Sequence, residues 1–250
     1  MKQAIWTQDY SVNTIVLNPQ KRLGLVGLLN ILQDAAWIHA KHLGHGYEAM
    51  LDQGTIWVLS RQKLVMRSWP VWGQQISVRT WVRPLSGPLA HRDYEILADG
   101  EIIGEATSSW LVLDMATRRP AKLRIGADVL ECRTDKALEH TTPGKLPLCE
   151  AMTQTATFQV RNSDLDMNGH VNNTRYAQWI LDSVPLAAHQ LYQIDGYEVN
   201  FLSEVNLDDK VAIEQSSLPD DTGQQFQGRR TSDGKIMFVA RLGAHPAPAA

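Results

Sequence analysis

One order of elements occurs twice along this chain, and few architectures accept it. A period-2 stretch, WTQDYSVNT, is followed by a run from Gly24 to Gly44 in which Leu25, Leu28, Leu29, Leu32, Ala36 and Ala40 recur at three- and four-residue spacing. That spacing predicts a helix with one apolar stripe, stopped at Gly44. A short helix is expected around 47–52. Blocks rich in β-branched and aromatic residues follow, IWVLSRQKLVM, QISVRTWV, AHRDYEIL and EIIGEATSSWLVLD, separated by WPVWG, PLSGP and the pair Asp99-Gly100. They read as a meander of antiparallel strands. Beyond Met115 the pattern dissolves into a charged stretch with Pro and Gly, and then the order begins again: TQTATFQV as a strand, VNNTRYAQWILDSV as a helix, and YEVNFLSEV, KVAIEQSSL, GQQFQGRRTS and KIMFVARLG as a second meander. A type I′ turn is expected at Asp233-Gly234.

The two halves share little sequence beyond an approximate match of WPVWGQQISV to EVNLDDKVAI, so the repeat is one of architecture. A long helix buried against a strongly curved antiparallel sheet, present twice, predicts an α+β chain of two tandem hotdog repeats that pair as a pseudo-dimer. The expected organisation is an amino-terminal hotdog over 1–115, a linker over 116–151, a carboxy-terminal hotdog over 152–243 and a frayed tail over 244–250. A length of 250 residues suits two such domains. Lys plus Arg number 24 against 27 Asp plus Glu, a balance that excludes a nucleic-acid binder working through overall positive charge. Cys132 and Cys149 form no CxxC pair, so neither a disulfide framework nor a thiolate zinc site is available. With no apolar run of ~18 residues and no signal-like start, the expectation is a cytoplasmic protein without membrane insertion.

The densest polar constellation is RNSDLDMNGHVNNTRY, residues 161–176, where the first strand of the second repeat gives way to its helix. A helix start offers free amide donors and a positive dipole end, which suits a carbonyl oxygen that becomes anionic during acyl transfer. Capping and turn formation account for Asp164, Asn172 and Asn173; Asp166, Asn168 and His170 together read as functional. The same stretch opens like a calcium loop, but its twelfth position is Arg175 where a bidentate Glu is required. His39, His42 and His45 step by three residues, yet His45 lies beyond Gly44 and three such steps drift around a helix, so they read as imidazoles near a helix C-terminus rather than metal ligands. Most of the eight Trp read as core or rim residues.

The string SDLDMNGHVNNTRY resembles the catalytic segment of acyl-acyl carrier protein (acyl-ACP) thioesterases, with Asp, Asn and His at alternate positions followed by VNN and a helix. IWVLSRQKLVM, WPVWGQQISVRTWV and ATSSWLVLDMATRRPAKL are similar to that family's amino-terminal hotdog. The resemblance implies hydrolysis of an acyl thioester with Asp166, Asn168 and His170 in the catalytic loop. It adds Glu204, in NFLSEVNLDD, which by residue type alone would be a solvated strand-end carboxylate. Many members follow that acid with Cys; here it is Val205, so no thiol nucleophile is expected there, and Cys132 and Cys149 match no family position. Leu28, Leu32 and Met66, with some of the Trp, are candidates for lining the acyl pocket. The implied partner is acyl carrier protein, with no cofactor, metal or nucleic acid. Arg118, Arg119, Lys122 and Arg124 form the basic strip where so acidic a partner would dock, or equally a solvated linker face. A homodimer is compatible with this reading. The rivals are an acyl-CoA thioesterase and a non-catalytic acyl-thioester-binding module. A hotdog hydratase would carry one more residue between Asn and His.

Overall fold

β1 (Ile5–Ser11) leads through an irregular loop into α1 (Leu25–His42) and the short α2 (Tyr47–Leu51), after which β2 (Thr55–Met66), β3 (Gln75–Val82), β4 (Ala90–Ala98) and β5 (Glu101–Asp114) form a meander. The order then recurs as β6 (Thr153–Gln159), α3 (Asn173–Ser183), α4 (Leu186–Leu191), β7 (Tyr192–Phe201), β8 (Lys210–Ser217), β9 (Gly223–Arg230) and β10 (Ile236–Pro246). The computed structural model describes residues 3–121, 131–218 and 223–247. The chain divides into two units, Met1–Pro143 and Gly144–Ala250. Within the first the strand order is β1-β3-β4-β5-β2, and within the second β6-β8-β9-β10-β7, all antiparallel. The two orders are the same once the strands are counted from each unit's start. This is the α+β hotdog repeat that the element order predicts. No helix among the described residues is long and apolar enough to cross a membrane.

Local chemistry explains the element ends. Gly44 takes φ +84°, and the amides of Gly44 and His45 donate back to the carbonyls of Lys41 and Ala40, closing α1 in a left-handed cap. Asp99 and Gly100 both have positive φ, as a type I′ hairpin requires. At the second pair only Gly234 does, so that turn is not type I′; a longer loop joins the strands, and the β9–β10 register shifts beside it. α4 has no counterpart in the sequence expectation, because its six residues leave Leu186 and Leu191 exposed and show no apolar stripe. Residues 244–246, expected in a frayed tail, continue β10 and pair with Ile194, Gln193 and Tyr192.

Each helix covers one face of its own sheet. In the first unit Leu25, Leu28, Leu29, Ile31, Leu32, Ala35 and Ala36 of α1 are buried. In the second, Tyr176 of α3 meets Phe201 and Phe238 edge-on, with ring centroids 5.2 Å apart in both pairs, and Trp179 stacks on Phe158. Gly228 makes room for that aromatic layer, since a Cβ there would sit 2.1 Å from the Phe238 ring.

The other face of the first sheet is charged, and residues 131–143 lie across it. Arg83 binds the fully buried Asp93 through two hydrogen bonds of 2.8 Å. Asp93 also accepts from the Leu138 amide and the Thr107 hydroxyl. Glu95, equally buried, is held by Arg79 and Lys136. The indole of Trp81 donates to the Lys136 carbonyl. The stretch 144–151 instead ties to the second unit, through Leu146 N–H to Asn200 and Gln225 to the Pro147 carbonyl. The division at 143/144 therefore falls inside the segment read as a linker, both ends of which are fastened.

His39 is fully buried on the inner side of α1. Its Nδ1 accepts from Arg92 at 2.8 Å, so the proton sits on Nε2, which donates to the Gln3 carbonyl at 2.9 Å. Burial, reinforced by the Arg92 charge, pushes its pKa down to about 4. Above the ordinary histidine pKa, folded and unfolded chains bind the same protons here. As pH falls from there towards 4, only the unfolded chain takes one up, so stability falls. Equilibrium unfolding followed between pH 7 and pH 4.5 should show a loss approaching ~3 kcal/mol, the most a shift of that size supplies. His39→Gln, which still accepts from Arg92, should flatten that part of the curve; parallel curves for the two proteins would refute the assignment.

Candidate functional site

The strand β6 ends at Gln159, and the chain needs thirteen residues to reach α3. Polar side chains organise those residues by bonding to backbone. Asp164 accepts from the Arg161 amide at 2.8 Å, and Asn172 caps α3 by accepting from the Thr174 amide and hydroxyl, both at 3.0 Å. These two, with Asn173 as the first helical residue, have the local roles their residue types suggest. Arg175 donates to the Ser163 carbonyl rather than standing where a calcium ligand would.

Asp166 is the hub of the loop. Its Oδ1 accepts from the Asn168 amide at 2.8 Å and the His170 amide at 3.3 Å, while its own amide donates to the His170 carbonyl at 2.8 Å. Gly169 completes the turn at φ +77°, a conformation side chains rarely adopt. Asp166 and His170 thus form the base of a tight loop, with Met167, Asn168 and Gly169 exposed at its tip.

A second segment meets this loop. The Val171 amide donates to the Val205 carbonyl at 3.1 Å, and that bond brings the side chains of His170 and Glu204 together, with Nε2 and Oε2 3.5 Å apart. Both side chains are partly open to solvent, at 32% and 43%. Val205, by contrast, is fully buried. All four predicted residues therefore lie on two adjoining segments of one unit: Asp166, Asn168 and His170 on the loop, Glu204 beside His170.

The sequence reading also looked to amides at the start of α3 for an oxyanion site. The structure narrows that, because the Val171, Asn172, Thr174 and Arg175 amides donate to Val205, Asp164, Asn172 and Asn172 respectively. Among described groups this leaves the Asn173 amide and the exposed Asn168 carboxamide as donors. Tyr176 was not singled out from sequence. It is buried beneath the loop, and burial, with the charges of Glu204 and Asp166, raises its pKa, so it remains a neutral phenol. Its position one turn after the cap, on the apolar stripe of α3, is the only sequence signal it carries.

Arg118 and Arg119 are exposed on a turn at the end of β5, where Asp114 accepts from the Ala116 and Thr117 amides and Pro120 bridges back to Leu113. Lys122 and Arg124 lie outside the described residues. No group of three or more His, Cys, Asp or Glu able to hold a metal occurs among the described residues. Burial raises the pKa of the Cys132 thiol.

Comparison with known proteins follows the same division. Residues 3–131 match the acyl-ACP thioesterase N-terminal domain and residues 150–241 the acyl-ACP thioesterase C-terminal domain. The chain is 29% identical over 219 residues to a chloroplastic dodecanoyl-[acyl-carrier-protein] hydrolase of Cinnamomum camphora, covering 82% of this chain and 57% of that protein. It is 28% identical over 218 residues to a chloroplastic palmitoyl-acyl carrier protein thioesterase of Gossypium hirsutum, covering 82% and 53%. The chain thus spans about half the length of these curated relatives. A crystal structure of an acyl-ACP thioesterase from Bacteroides thetaiotaomicron shares the fold, with a TM-score of 0.88 at 24% identity over 97% of this chain and 98% of that one. With both domains matched in order, and with Asp166, Asn168, His170 and Glu204 all inside the second match, this chain belongs to the acyl-ACP thioesterase family.

Proposed function

We propose that this chain is a thioester hydrolase that releases free fatty acid from acyl-ACP in fatty acid biosynthesis, with water as the attacking nucleophile. The observation that carries the reading is the His170–Glu204 pair at 3.5 Å, held beside a loop that Asp166 orders. Glu204 and His170 orient a water and take its proton as its oxygen adds to the thioester carbonyl carbon. The Asn168 carboxamide and the Asn173 amide donate to the carbonyl oxygen as it gains charge. Collapse of the tetrahedral adduct breaks the carbon–sulfur bond. A thiol with pKa about 8.5 leaves as thiolate without strong acid assistance, so the site needs no dedicated acid. No step in this sequence requires a metal or organic cofactor.

The residue at 205 supports water over a thiol. A buried side chain at that position does not share the solvent-facing side on which Glu204 meets His170. Acyl-ACP is favoured over acyl-CoA as substrate by the named relatives and by the exposed basic turn at Arg118 and Arg119, which suits an acidic protein partner. A cytoplasmic location and a homodimer belong to this reading as expectations.

Glu204→Gln keeps shape but removes the base and should lower kcat by ~10²- to 10⁴-fold, while Cys132→Ser with Cys149→Ser should leave kcat nearly intact. An acyl adduct on either cysteine, or normal turnover by Glu204→Gln, would sink the direct-water mechanism. Asp166→Asn keeps the outline of the hub but not its charge. It should reduce kcat and speed hydrogen exchange at the Asn168 and His170 amides, with the melting temperature little changed; unaltered exchange would show that Asp166 does not order the loop. Charge reversal of Arg118 and Arg119 should raise KM for acyl-ACP and spare matched acyl-CoA. Equal effects on the two substrates would dispose of docking at that turn.

A further inference from the structure

The two units repeat one loop bond for bond, and the repeat separates what folding needs there from what chemistry adds. In the first unit Asn18 stands where Asp166 stands in the second. Its Oδ1 accepts from the Gln20 and Arg22 amides, its own amide donates to the Arg22 carbonyl, and its carbonyl accepts from the Lys21 amide. Asp166 makes the same four bonds with Asn168, His170 and Gly169, two of them assisted by its charge. Lys21 and Gly169 both take positive φ. The Leu23 amide donates to the Pro70 carbonyl as Val171 does to Val205, which aligns Trp69 with Glu204. Five residues beyond Leu23 and Val171, Leu28 of α1 occupies the place that Tyr176 has in α3. One loop conformation thus forms from two sequences. Their differences include the four residues already given parts in hydrolysis: Asp166 for Asn18, Asn168 for Gln20, His170 for Arg22 and Glu204 for Trp69. A further difference is a hydroxyl, carried by Tyr176 where the first unit has Leu28.

Packing does not account for that hydroxyl. Leu28 is fully buried, so the place behind the loop accepts an aliphatic side chain. Tyr176 is 4% exposed, and its ring is clamped edge-on by Phe201 and Phe238 and at 5.4 Å by Trp179, contacts that a phenylalanine ring would make equally. Among the described residues no group bonds its hydroxyl. A buried hydroxyl without a partner is unfavourable, so its retention calls for an acceptor at work. The charge that acts on it most is Glu204, followed by Asp166 and Asp209. Asp166 has its Oδ1 on the loop amides, and Asp209 has its Oδ2 on the Asn206 amide and Arg230. Glu204 instead presents its carboxylate to His170. A neutral phenol can serve a carboxylate only as a donor.

We propose that Tyr176 is a positioning residue of the hydrolytic site: its hydroxyl donates to the Glu204 carboxylate, directly or through one water, and holds that group against His170. This role rests on the hydrolase reading, in which Glu204 and His170 take the proton of the attacking water.

Steady-state hydrolysis of acyl-ACP by Tyr176→Phe is the decisive measurement. Its kcat should fall on the order of 10- to 100-fold, the worth of one hydrogen bond to a charged group, with KM little changed and the melting temperature equal to or above that of wild type. In Glu204→Gln protein the same substitution should cost little more. Tyr197→Phe removes another buried hydroxyl without a partner among the described residues, one that neighbours Tyr176 rather than the acids, and should keep kcat. Near-normal kcat in Tyr176→Phe, an equal loss in Tyr197→Phe, or an undiminished loss in the Glu204→Gln background would each overturn the role. Turnover by the wild-type chain tests the hydrolase reading itself, and a readout without turnover keeps the two apart. The Glu204 side-chain carboxyl carbon resonance should differ between wild type and Tyr176→Phe, and not between wild type and Tyr197→Phe; an unmoved resonance in Tyr176→Phe would overturn the role whether or not the chain hydrolyses acyl-ACP.

Discussion

A five-stranded antiparallel sheet has two faces to remove from water, and each unit of this chain has one long helix with which to cover one of them. The rest of the structure follows from how the second face is managed. In the first unit it carries Arg83, Asp93, Glu95, Arg79 and Glu105, and residues 131–143 lie across it so that the charges are paired and their remaining lone pairs filled. Removing one partner of a buried pair such as Arg83–Asp93 typically costs ~3–5 kcal/mol, because the other charge is left stranded. The segment that looks like a linker is therefore part of what makes the charged face tolerable. Its Pro, Gly and charge content reflects the need to present carbonyls and amides to side chains rather than to form a ladder of its own.

The proposed catalytic groups are placed by backbone bonds rather than by side-chain packing. Two amide–carbonyl contacts, Val171 to Val205 and Val160 to Asp209, tie the stretch before α3 to the segment after β7, and the first of them lies beside His170 and Glu204. Asp166 spends its carboxylate on the loop's own amides, which leaves Glu204 as the acid that faces His170. Two carboxylates of similar intrinsic chemistry thus have different surroundings, one internally bonded and one partly open to water. The buried phenol of Tyr176 below them fixes the first turn of α3 against Phe201 and Phe238 and so sets the floor on which the loop stands.

Element order, the long helices, the Gly44 stop and the Asp99-Gly100 hairpin were legible in the sequence because each is a local matter of periodicity or of a single left-handed residue. The loop residues Asp166, Asn168 and His170 were legible as a cluster, since capping alone does not require a His between two Asn-rich runs. Glu204 was not, on its own terms: it sits 34 residues after His170, and only a hydrogen bond between distant backbones makes it a neighbour. The turn at Gly234 and the end of β10 were misjudged because both depend on strand register, which a one-dimensional pattern does not contain.

The two units solve the same packing problem with different side chains, and that difference bears on how firmly each holds what stands on it. Beneath α3 the space is taken by rings: Tyr176, Trp179, Phe158, Phe201 and Phe238, with Gly228 reduced to hydrogen so that Phe238 fits. Interlocked aromatics in edge-to-face and stacked contact hold one another in fixed orientations. Beneath α1 the fully buried Tyr94 is the one large ring beside Leu28, Leu32, Val78, Ile96 and Met66, with Arg92, Ser108 and Gln62 on the same face, and a thioether such as Met66 repacks at little cost. The ordered loop that carries His170, with Glu204 facing it, stands on the aromatic unit, whose interlocked rings give it a rigid floor. The same strand order thus carries two differently built cores within one chain.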